Sequence, residues 1–546
     1  MSARGRRLAV ALALAAVAAC SFPLAARAGA ARAAALANRG IAHGVAMGWI
    51  KTPDANRYRA AVYLARRGIR TLPPLRGAVL ATQLSEVSTL WSSYISPRAL
   101  ALFAQLRENV DYLGSHPIPA DGTDVVGPDG VAYRWFPGHG FEFHPLANAA
   151  RLNGLASAKD LAATRQLAEA LVARGVPRNG SLLWEYAFPY GIGRPPWASG
   201  LAQAVMAQAL ARASALLGDR SLLERARKAY RAIPGRLVLP VSTGPWIRLY
   251  GFDGEIVLNA QLQAILSLLE YGQTAGDRGA QALAQRLDLA AQGLFSRFDT
   301  GDWSRYELGG GYAPLEYQQY VTTLLGRLAK QTSEEFWQAA AVRFVNYTYE
   351  PPEVTQPSPP VELVAYPRPA DGWLDSVTIP FTTSKRASVT LVVAGRVFTW
   401  SRLPGGNHTL AWRPGADVAP GTYPVTVRAV DFRGRHSSSA LEPVTIGWDL
   451  SPPPLSAQVD AATGTLSWQD DEPGTPWLEL KLLLTDPAGV QPPQTIDLGR
   501  QRTTGSVVLA IPTGTWDGAL SVSNSAGLTT IVSLPGLTGP PALPQP

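Results

Sequence analysis

The stretch WASGLAQAVMAQALARASALLGD (197–219) decides which fold the sequence favours. Its apolar side chains recur at the spacing of one helix face, at Leu201, Val205, Met206 and Leu210. Gly218-Asp219 interrupts the pattern, and SLLERARKAYRAI (221–233) then begins with a Ser-x-x-Glu capping box, which is typical of a helix N-terminus. The two segments predict a hairpin of two α-helices.

Similar hairpins are predicted along residues 30–350. Paired helical patterns occur at 143–175, 257–295 and 315–347, and single helices are predicted at 56–68 and 97–114. Repeated hairpins of this length favour an α/α toroid, in which paired helices surround a cleft at one end. We therefore expect an all-α toroid that carries the functional cleft.

The sequence changes in character at PPEVTQPSPP (351–360), a proline-rich stretch that predicts a linker. Alternating apolar runs and closely spaced turn signals follow, and they predict an Ig-like β-sandwich over 361–450. A second proline stretch precedes a second Ig-like or fibronectin-like sandwich over 451–536. Residues 537–546 are expected to form a disordered tail. The fold class is thus multidomain: an all-α toroid followed by two all-β sandwiches.

The N-terminus is typical of an export signal. Its first seven residues contain three arginines and no acid, and the apolar run 8–19 is too short to span a bilayer as a permanent helix. Cleavage after Ala28 would remove a signal peptide of residues 1–28. Alternatively, VAAC (17–20) resembles a bacterial lipobox, so that a leader of residues 1–19 would leave a lipid on Cys20. Both alternatives predict an exported protein, extracellular or periplasmic, and the second attaches it to a membrane.

Charge and composition exclude several classes of function. The formal net charge is +8, and arginines within residues 1–28 contribute half of it. Because the other basic residues are scattered, no nucleic-acid partner is expected, whereas a mild positive excess suits an acidic polymer. Cys20 is the only cysteine, so no disulfide within the chain is expected. The six histidines form no metal-binding spacing, and neither a metal nor an organic cofactor is predicted.

The segments between the helical hairpins are rich in aromatic residues, glycine and proline. They occur at 131–143, 181–197, 244–255 and 302–312. In a helical toroid such connections gather at the cleft, and loops that hold Trp, Tyr and Arg on a rigid scaffold are typical of sugar-binding sites. The alternative is that these aromatic residues only pack together and close the mouth of the barrel.

Five segments carry recognisable motifs: YRWFPGHGFEFHPLA (133–147), PWASGLAQA (196–204), YGFDGEIVLNAQLQAILSLLEYGQTAGD (250–277), FDTGDWSRYEL (298–308) and EYQQYVTTLL (316–325). In this order they resemble motifs of the C-terminal catalytic region of D-glucuronyl C5-epimerases. The resemblance covers residues from about 131 to 330. It implies an enzyme that converts D-glucuronate to L-iduronate within heparan-type polymers, so a uronic-acid-containing polysaccharide is the expected partner.

The resemblance also implies catalytic residues. Tyr306 matches the tyrosine of the family's YDL motif, and Tyr317 matches the tyrosine of its DYH motif. Tyr250 matches a tyrosine that follows a catalytic carboxylate in the family, but here Leu249 stands at the position of the acid. Gln318 stands where the family has a histidine. The nearby acids that could replace the missing carboxylate are Asp253, Glu255 and Glu185.

The chemistry of C5 epimerisation explains why tyrosines are the candidates. A proton next to a carboxylate must be removed from one face and returned to the other, with donors that neutralise the charge moving onto the carboxylate. A tyrosine titrates near pH 10 when unperturbed, and a neighbouring charge lets it act as acid or base. We expect Tyr306 and Tyr317 to be functional, and Tyr312 and Tyr320 to support them.

Other residues are predicted to bind the polysaccharide. Arg248 and Arg305, each beside a candidate tyrosine, are expected to hold uronate carboxylates with their planar guanidinium groups. Trp246 and Trp303 are expected to stack on sugar faces. The remaining candidates in the aromatic segments and on the following helix are Glu185, Tyr186, His144 and Tyr320. The alternatives are solvated arginines, tryptophans packed in the core, and a histidine that only positions its neighbours.

Three functions remain open at this point. The first is a C5-epimerase. The second is a polysaccharide lyase, which begins with the same removal of the C5 proton but then expels the 4-O-linked glycan. The third is a non-catalytic cell-surface protein that binds glycans. The assembly state is open as well, with a homodimer as one option.

Overall fold

The computed structural model describes residues 23–357, 362–470 and 475–539. They divide into two compact units, one ending at Thr348 and the other beginning at Tyr349. A helix begins at Pro23, inside the predicted signal peptide, while Cys20 and the leader before it lie outside the described residues. Within the described residues, no helix has both the length and the apolar character that a membrane span requires.

The first unit consists of α-helices joined by short strands. The helices are α1 (Pro23–Ala46), α2 (Thr52–Thr71), α3 (Pro74–Thr89), α4 (Ser96–Ser115), α5 (Pro145–Ser157), α6 (Leu161–Arg174), α7 (Gly200–Leu217), α8 (Arg220–Arg231), α9 (Ile233–Arg236), α10 (Leu258–Ala275), α11 (Arg278–Phe298), α12 (Leu315–Thr332) and α13 (Glu335–Tyr349). The strands are β1 (Asp124–Val126), β2 (Ala132–Phe136), β3 (Gly140–Phe143), β4 (Val176–Arg178), β5 (Ser181–Leu183), β6 (Val238–Val241) and β7 (Gly244–Ile247).

The helices from α5 onward form an inner row and an outer row. The inner helices α5, α7, α10 and α12 pack side by side in that order. Helices α7 and α10 are buried on nearly every side, whereas α8 buries only Leu222, Ala226 and Ala229 on one face. This difference in burial explains why the apolar pattern is broad in 197–219 and narrow in 221–233.

Aspartates begin three outer helices. The side chains of Asp160, Asp219 and Asp277 each accept a hydrogen bond from a backbone N–H in the first turn of α6, α8 and α11. The prediction that Ser221 caps α8 is therefore wrong by two residues. Asp219 holds that position because its carboxylate accepts from the N–H of Ser221 at 2.9 Å, and Gly218 ends α7 in the left-handed region with φ of 67°.

A buried amide side chain lies near the start of each inner helix. These amides are Asn148 in α5, Gln203 in α7, Gln261 in α10 and Gln318 in α12. Gln203 accepts from the N–H of Trp184 at 3.0 Å, and Gln261 accepts from the N–H of Ile247 at 2.7 Å. Gln318 likewise accepts from the N–H of Ser304 at 3.0 Å. Each amide thus holds the segment that precedes its own helix, which gives position 318 a structural role in this chain.

The second unit contains two β modules, each with two sheets around its own core. The strands are β8 (Val354–Thr355), β9 (Leu363–Ala365), β10 (Val377–Thr383), β11 (Ala387–Val393), β12 (Arg396–Leu403), β13 (Gly406–Trp412), β14 (Gly421–Val430), β15 (His436–Ile446), β16 (Ser456–Asp460), β17 (Thr465–Gln469), β18 (Leu478–Thr485), β19 (Gln494–Gln501), β20 (Thr504–Val508), β21 (Gly514–Ser523) and β22 (Thr529–Gly539). The first module has sheet orders β13-β10-β8 and β12-β11-β14-β15-β9, and the second has β16-β17-β20 and β19-β18-β21-β22.

The predicted order of a helical region followed by a β-rich region is confirmed. Two boundaries differ from the prediction. Strand β8 lies within the predicted linker 351–360, because Val354 is buried in the core of the first module and pairs with Thr383. Strand β22 extends to Gly539, past the predicted end at 536, because it continues its pairing with β21.

Two carboxyl groups, those of Glu86 in α3 and Glu142 in β3, lie together in the core. Gln83 and Gln105 donate their amide hydrogens to the two oxygens of Glu142, and His139 Nδ1 donates to Glu86 Oε1 at 2.6 Å. Burial, and then the neighbouring charge of Glu86, raise the pKa of Glu142 well above its usual range. This pair makes the stability of the helical unit depend on pH.

We expect Glu86→Gln to stabilise the protein at alkaline pH. A glutamate in the unfolded chain titrates near about pH 4.3, so between that value and its raised folded pKa only the folded state keeps the Glu142 proton. The stability contribution of Glu142 is therefore complete at low pH and is lost as pH rises through this window. Removing the Glu86 charge should raise the unfolding free energy by about 1–3 kcal/mol at pH 8 and change little at pH 4.

The measurement is the unfolding free energy of the helical unit as a function of pH, with the exposed Glu169→Gln as control. An identical pH profile for both variants would contradict the interaction between the two buried carboxyl groups.

Candidate functional site

A cavity of about 680 Å³ lies along the inner row of helices. Its volume is within the range of small-molecule and sugar sites. Aromatic side chains line one end of it: Phe136, Tyr186, Phe188, Tyr190, Trp197, Tyr250, Tyr306 and Tyr317. They come from β2, from the first turn of α12 and from the segments before α7, α10 and α12. The aromatic segments therefore do meet at one hollow.

Four tyrosine side chains form two contacting pairs at this end, which we call the tyrosine cluster. Tyr306 and Tyr317 meet edge to face, with ring centroids 4.8 Å apart. Tyr190 and Tyr250 have ring centroids 5.1 Å apart. Tyr250 and Tyr306 are close enough to influence each other electrostatically. Tyr250, Tyr306 and Tyr317, far apart in sequence, thus share one cluster.

Burial controls the protonation of these phenols. It raises the pKa of Tyr306 above its ordinary range, and the neighbouring Tyr317 adds to this effect. It raises the pKa of Tyr250 in the same way, with a second contribution from Tyr190. Tyr306 and Tyr250 are therefore neutral at physiological pH and act as hydrogen-bond donors in the unliganded cavity.

The charged side chains of the cavity lining are all arginines: Arg134, Arg212 and Arg327. No aspartate or glutamate is among the described residues that line it. Arg134 pairs with Asp124 and Arg212 pairs with Glu270, but no carboxylate of the described chain lies within ion-pair distance of Arg327. The cavity is suited to an anionic ligand, and its lining does not provide the two carboxyl groups that most glycoside hydrolases use.

Residues 178–346 match the family model described as D-glucuronyl C5-epimerase C-terminus. This range contains every member of the tyrosine cluster. It is less than a third of the chain, and it lies within the helical unit. The match confirms the resemblance expected from the sequence, and it supports a carbohydrate epimerase type of enzyme.

The solved structures that match this one have low sequence identity to the chain. An endoglucanase from Komagataeibacter sucrofermentans is 14% identical, and the match covers 36% of this chain and 71% of that one with a TM-score of 0.28. A cellobiose 2-epimerase from Bacillus thermoamylovorans is 12% identical over 46% and 72% of the two chains, with a TM-score of 0.33. These scores are too low to support a conclusion about fold or activity. No curated protein matches the sequence.

The family's missing acid is not replaced within the cavity. Leu249, at the position of that acid, is itself part of the cavity lining. Asp253 and Glu255 lie outside the lining, and burial raises the pKa of Asp253. Glu255 is exposed, but its charge contributes to the raised pKa values of Tyr250 and Tyr306. Glu185 is bound by two arginines, Arg98 at 2.8 Å and Arg178 at 3.0 Å. Glu185 and Asp253 therefore lie away from the cavity lining, whereas the role of Glu255 stays a prediction.

The predicted arginine clamps also lie outside the cavity lining. The guanidinium of Arg248 donates to the carbonyl of Asp253, and Arg305 Nη1 donates to the carbonyl of Gly310 at 2.6 Å. Both groups stabilise the turns of their own loops. The arginine beside the tyrosine cluster is instead Arg134, whose guanidinium interacts electrostatically with Tyr317.

The two predicted tryptophan platforms are core residues. Trp246 is completely buried, stacks on Phe298 and donates its indole N–H to the carbonyl of Val257. Trp303 is 1% exposed and donates to the carbonyl of Ala313. Neither face is available to a sugar, so the prediction that they stack on the substrate is wrong.

His144 and Tyr186 lie in the cavity wall. His144 caps α5, where its Nδ1 accepts from the N–H of Ala147 at 3.0 Å. Burial, assisted by the charge of Arg134, lowers the pKa of His144 to about 4, so its proton sits on Nε2 and the ring is a donor. Tyr186 stacks on Trp197 with ring centroids 4.0 Å apart. Both contribute shape and donors to the wall.

Several lining residues were not identified from the sequence. Tyr190 lies in the Gly- and Pro-rich segment before α7, where nothing local marks it as the partner of Tyr250. Arg327 follows Tyr317 and Tyr320 on α12 at spacings of ten and seven residues, which keep it on one helix face. That spacing could have identified Arg327 as a lining residue from the sequence. Tyr312, predicted as supporting, lies outside the lining and donates to Asp302 at 3.3 Å.

Proposed function

We propose that the protein is a uronate C5-epimerase that interconverts D-glucuronate and L-iduronate residues of a polysaccharide. The observation that carries the proposal is the tyrosine cluster, which contains Tyr250, Tyr306 and Tyr317 and faces a cavity whose described lining is cationic. Arginines suit a substrate that carries carboxylates, and phenols suit a reaction that moves protons at carbon.

In the proposed reaction the two tyrosine pairs stand on opposite faces of the sugar. One hydroxyl of a pair first releases its own proton to solvent, and the resulting phenolate takes the C5 proton while the electron pair of that C–H bond moves onto the uronate carboxylate. A neutral phenol of the other pair then gives its proton to C5 from the opposite face, and the electron pair forms the new C–H bond. The second hydroxyl of each pair donates a hydrogen bond to the phenolate and stabilises it.

Arg134 is the residue we propose to hold the reacting carboxylate. It lines the cavity beside Tyr317, and a guanidinium neutralises the negative charge that the carboxylate gains when the proton leaves. His144 and the neutral phenol of Tyr306 supply further donors. These groups replace Arg248 and Arg305 in the predicted role.

The proposal also covers the architecture of the two units and the export of the protein. The inner and outer rows of helices support an α/α toroid, and the two-sheet modules with buried alternating strands support Ig-like sandwiches. The basic and apolar leader supports export, with cleavage after Ala28 or lipidation at Cys20 as alternatives. A uronic-acid-containing polysaccharide is the proposed partner.

One observation favours a different function, namely Leu249 in the place of the family's carboxylate. A chain that lost this acid could bind glycans without acting on them. A lyase would share the first proton transfer and would differ only in the next step.

Incubation with glucuronate-containing polymers in heavy water separates these functions. We expect NMR to show deuterium at C5 without chain cleavage. Unsaturated chain ends, detected by ultraviolet absorbance, would replace the proposal by a lyase. Binding of polymer with neither signal would replace it by a glycan-binding protein.

A further inference from the structure

A chain of hydrogen bonds follows the cavity wall away from the tyrosine cluster. Tyr320 donates to Gln263 Oε1 at 2.9 Å, Gln263 Nε2 donates to Ser267 Oγ at 2.9 Å, and Ser267 donates to Gln208 Oε1 at 3.0 Å. Gln208 Nε2 then donates to Glu270 Oε2 at 2.6 Å. Every bond of this chain points toward the carboxylate of Glu270, which therefore sets the direction of the whole network.

That direction leaves two acceptors on residues of the cavity lining. The hydroxyl proton of Tyr320 is committed to Gln263, so the oxygen of Tyr320 can only accept from a ligand. Asn153 donates its amide hydrogen to Gln208 at 3.2 Å, which leaves Asn153 Oδ1 buried without a donor. Both residues line the cavity. A buried acceptor without a donor is unfavourable, and a ligand hydroxyl would satisfy it.

Two guanidinium groups provide donors at the same end. Arg212 is held by Glu270 and by Ser157, where Nη1 donates to Oγ at 3.0 Å. Arg327 is exposed, lines the cavity and has no carboxylate within ion-pair distance in the described part of the chain. A cation without a partner at the wall of a cavity is suited to a ligand anion.

This end of the cavity lies away from the reacting groups, except that Tyr320 follows Tyr317 by one turn of α12. Arg327 follows Tyr317 by ten residues on α12, which corresponds to about 15 Å along the helix axis. Asn153 and Arg212 similarly lie more than two turns from the starts of α5 and α7. This distance exceeds the length of one sugar ring, so a residue bound here is not the one that reacts.

We propose that Asn153, Arg212, Tyr320 and Arg327 form a second sugar subsite, which binds an anionic residue of the same polysaccharide beyond the reacting uronate. The inference rests on the proposed function for its assignment to a substrate chain. The anion, a uronate carboxylate or a sulfate ester, binds at Arg327, and sugar hydroxyls donate to Tyr320 and Asn153. The subsite makes affinity depend on the length and charge of the glycan.

The test is calorimetric binding of oligosaccharides of the glucuronate–N-acetylglucosamine repeat, as disaccharide and hexasaccharide, with and without sulfate. We expect the hexasaccharide to bind more tightly than the disaccharide. Arg327→Gln should weaken hexasaccharide binding about tenfold and leave disaccharide binding unchanged. The matched control is Lys330→Gln, which removes an exposed positive charge from the same helix outside the cavity lining.

The outcomes distinguish the subsite from the reaction. A loss confined to the sulfated hexasaccharide identifies sulfate as the anion, and equal losses identify the uronate carboxylate. The subsite is overturned if Arg327→Gln binds the hexasaccharide as tightly as Lys330→Gln does, whatever the activity. If tighter binding of the hexasaccharide requires Arg327, the subsite is supported even when the wild-type protein exchanges no C5 hydrogen. Absence of exchange would overturn only the proposed epimerase activity.

Discussion

Replacing Tyr306 by phenylalanine should lower the rate of C5 deuterium exchange by about 10²–10⁴-fold, the range that a positioned proton donor or acceptor contributes. The hydroxyl is the only group removed, and the ring keeps its contact with Tyr317. In the proposed reaction Tyr306 and Tyr317 handle one proton together, so Tyr317→Phe should have an effect of similar size. The rate is measured by NMR in heavy water on a glucuronate polymer.

The paired arrangement predicts how the two variants combine. If Tyr306 and Tyr317 handle one proton as a unit, the double variant should be little slower than either single variant, because groups that act together are not additive. Tyr312→Phe is the control, since this residue lies in the same segment as Tyr306 but outside the cavity lining. A normal exchange rate in Tyr306→Phe, or an equal loss of rate in Tyr312→Phe, would contradict the proposal that the tyrosine cluster transfers the proton.

The second large effect concerns stability. Gln261→Ala should lower the unfolding free energy of the helical unit by about 3–5 kcal/mol. The amide accepts from the N–H of Ile247 at 2.7 Å and donates to the carbonyl of Leu287 at 2.7 Å, and its side chain is completely buried. Alanine leaves both backbone groups unpaired in the core and opens a cavity. Each orphaned group alone costs about 1–3 kcal/mol.

Calorimetry measures this loss, with the unfolding of the β modules as an internal reference. Gln319→Ala is the control, because Gln319 occupies an inner helix but is exposed. A change of less than about 1 kcal/mol for Gln261→Ala, which is the size of a single exposed hydrogen bond, would contradict the structural role of the four buried amides.

Local patterns were sufficient for the helical hairpins. The broad apolar pattern of 197–219, its stop at Gly218 and the aspartate that follows are all properties of neighbouring residues, so the sequence determined them directly. The order of a helical region before a β-rich region follows from the same kind of signal. The motifs around Tyr250, Tyr306 and Tyr317 likewise indicated the family that residues 178–346 match.

Which side chains face the cavity was decided by the tertiary structure. Tryptophan is a residue type that often stacks on sugars, yet packing places the rings of Trp246 and Trp303 in the core. Arg248 and Arg305 donate to carbonyls of their own loops. Tyr190 joins Tyr250, and Arg327 reaches the cavity wall, only because separate hairpins pack side by side. Periodicity specifies a helix face, but the neighbour that this face meets depends on contacts between residues distant in sequence, and those contacts decide the site.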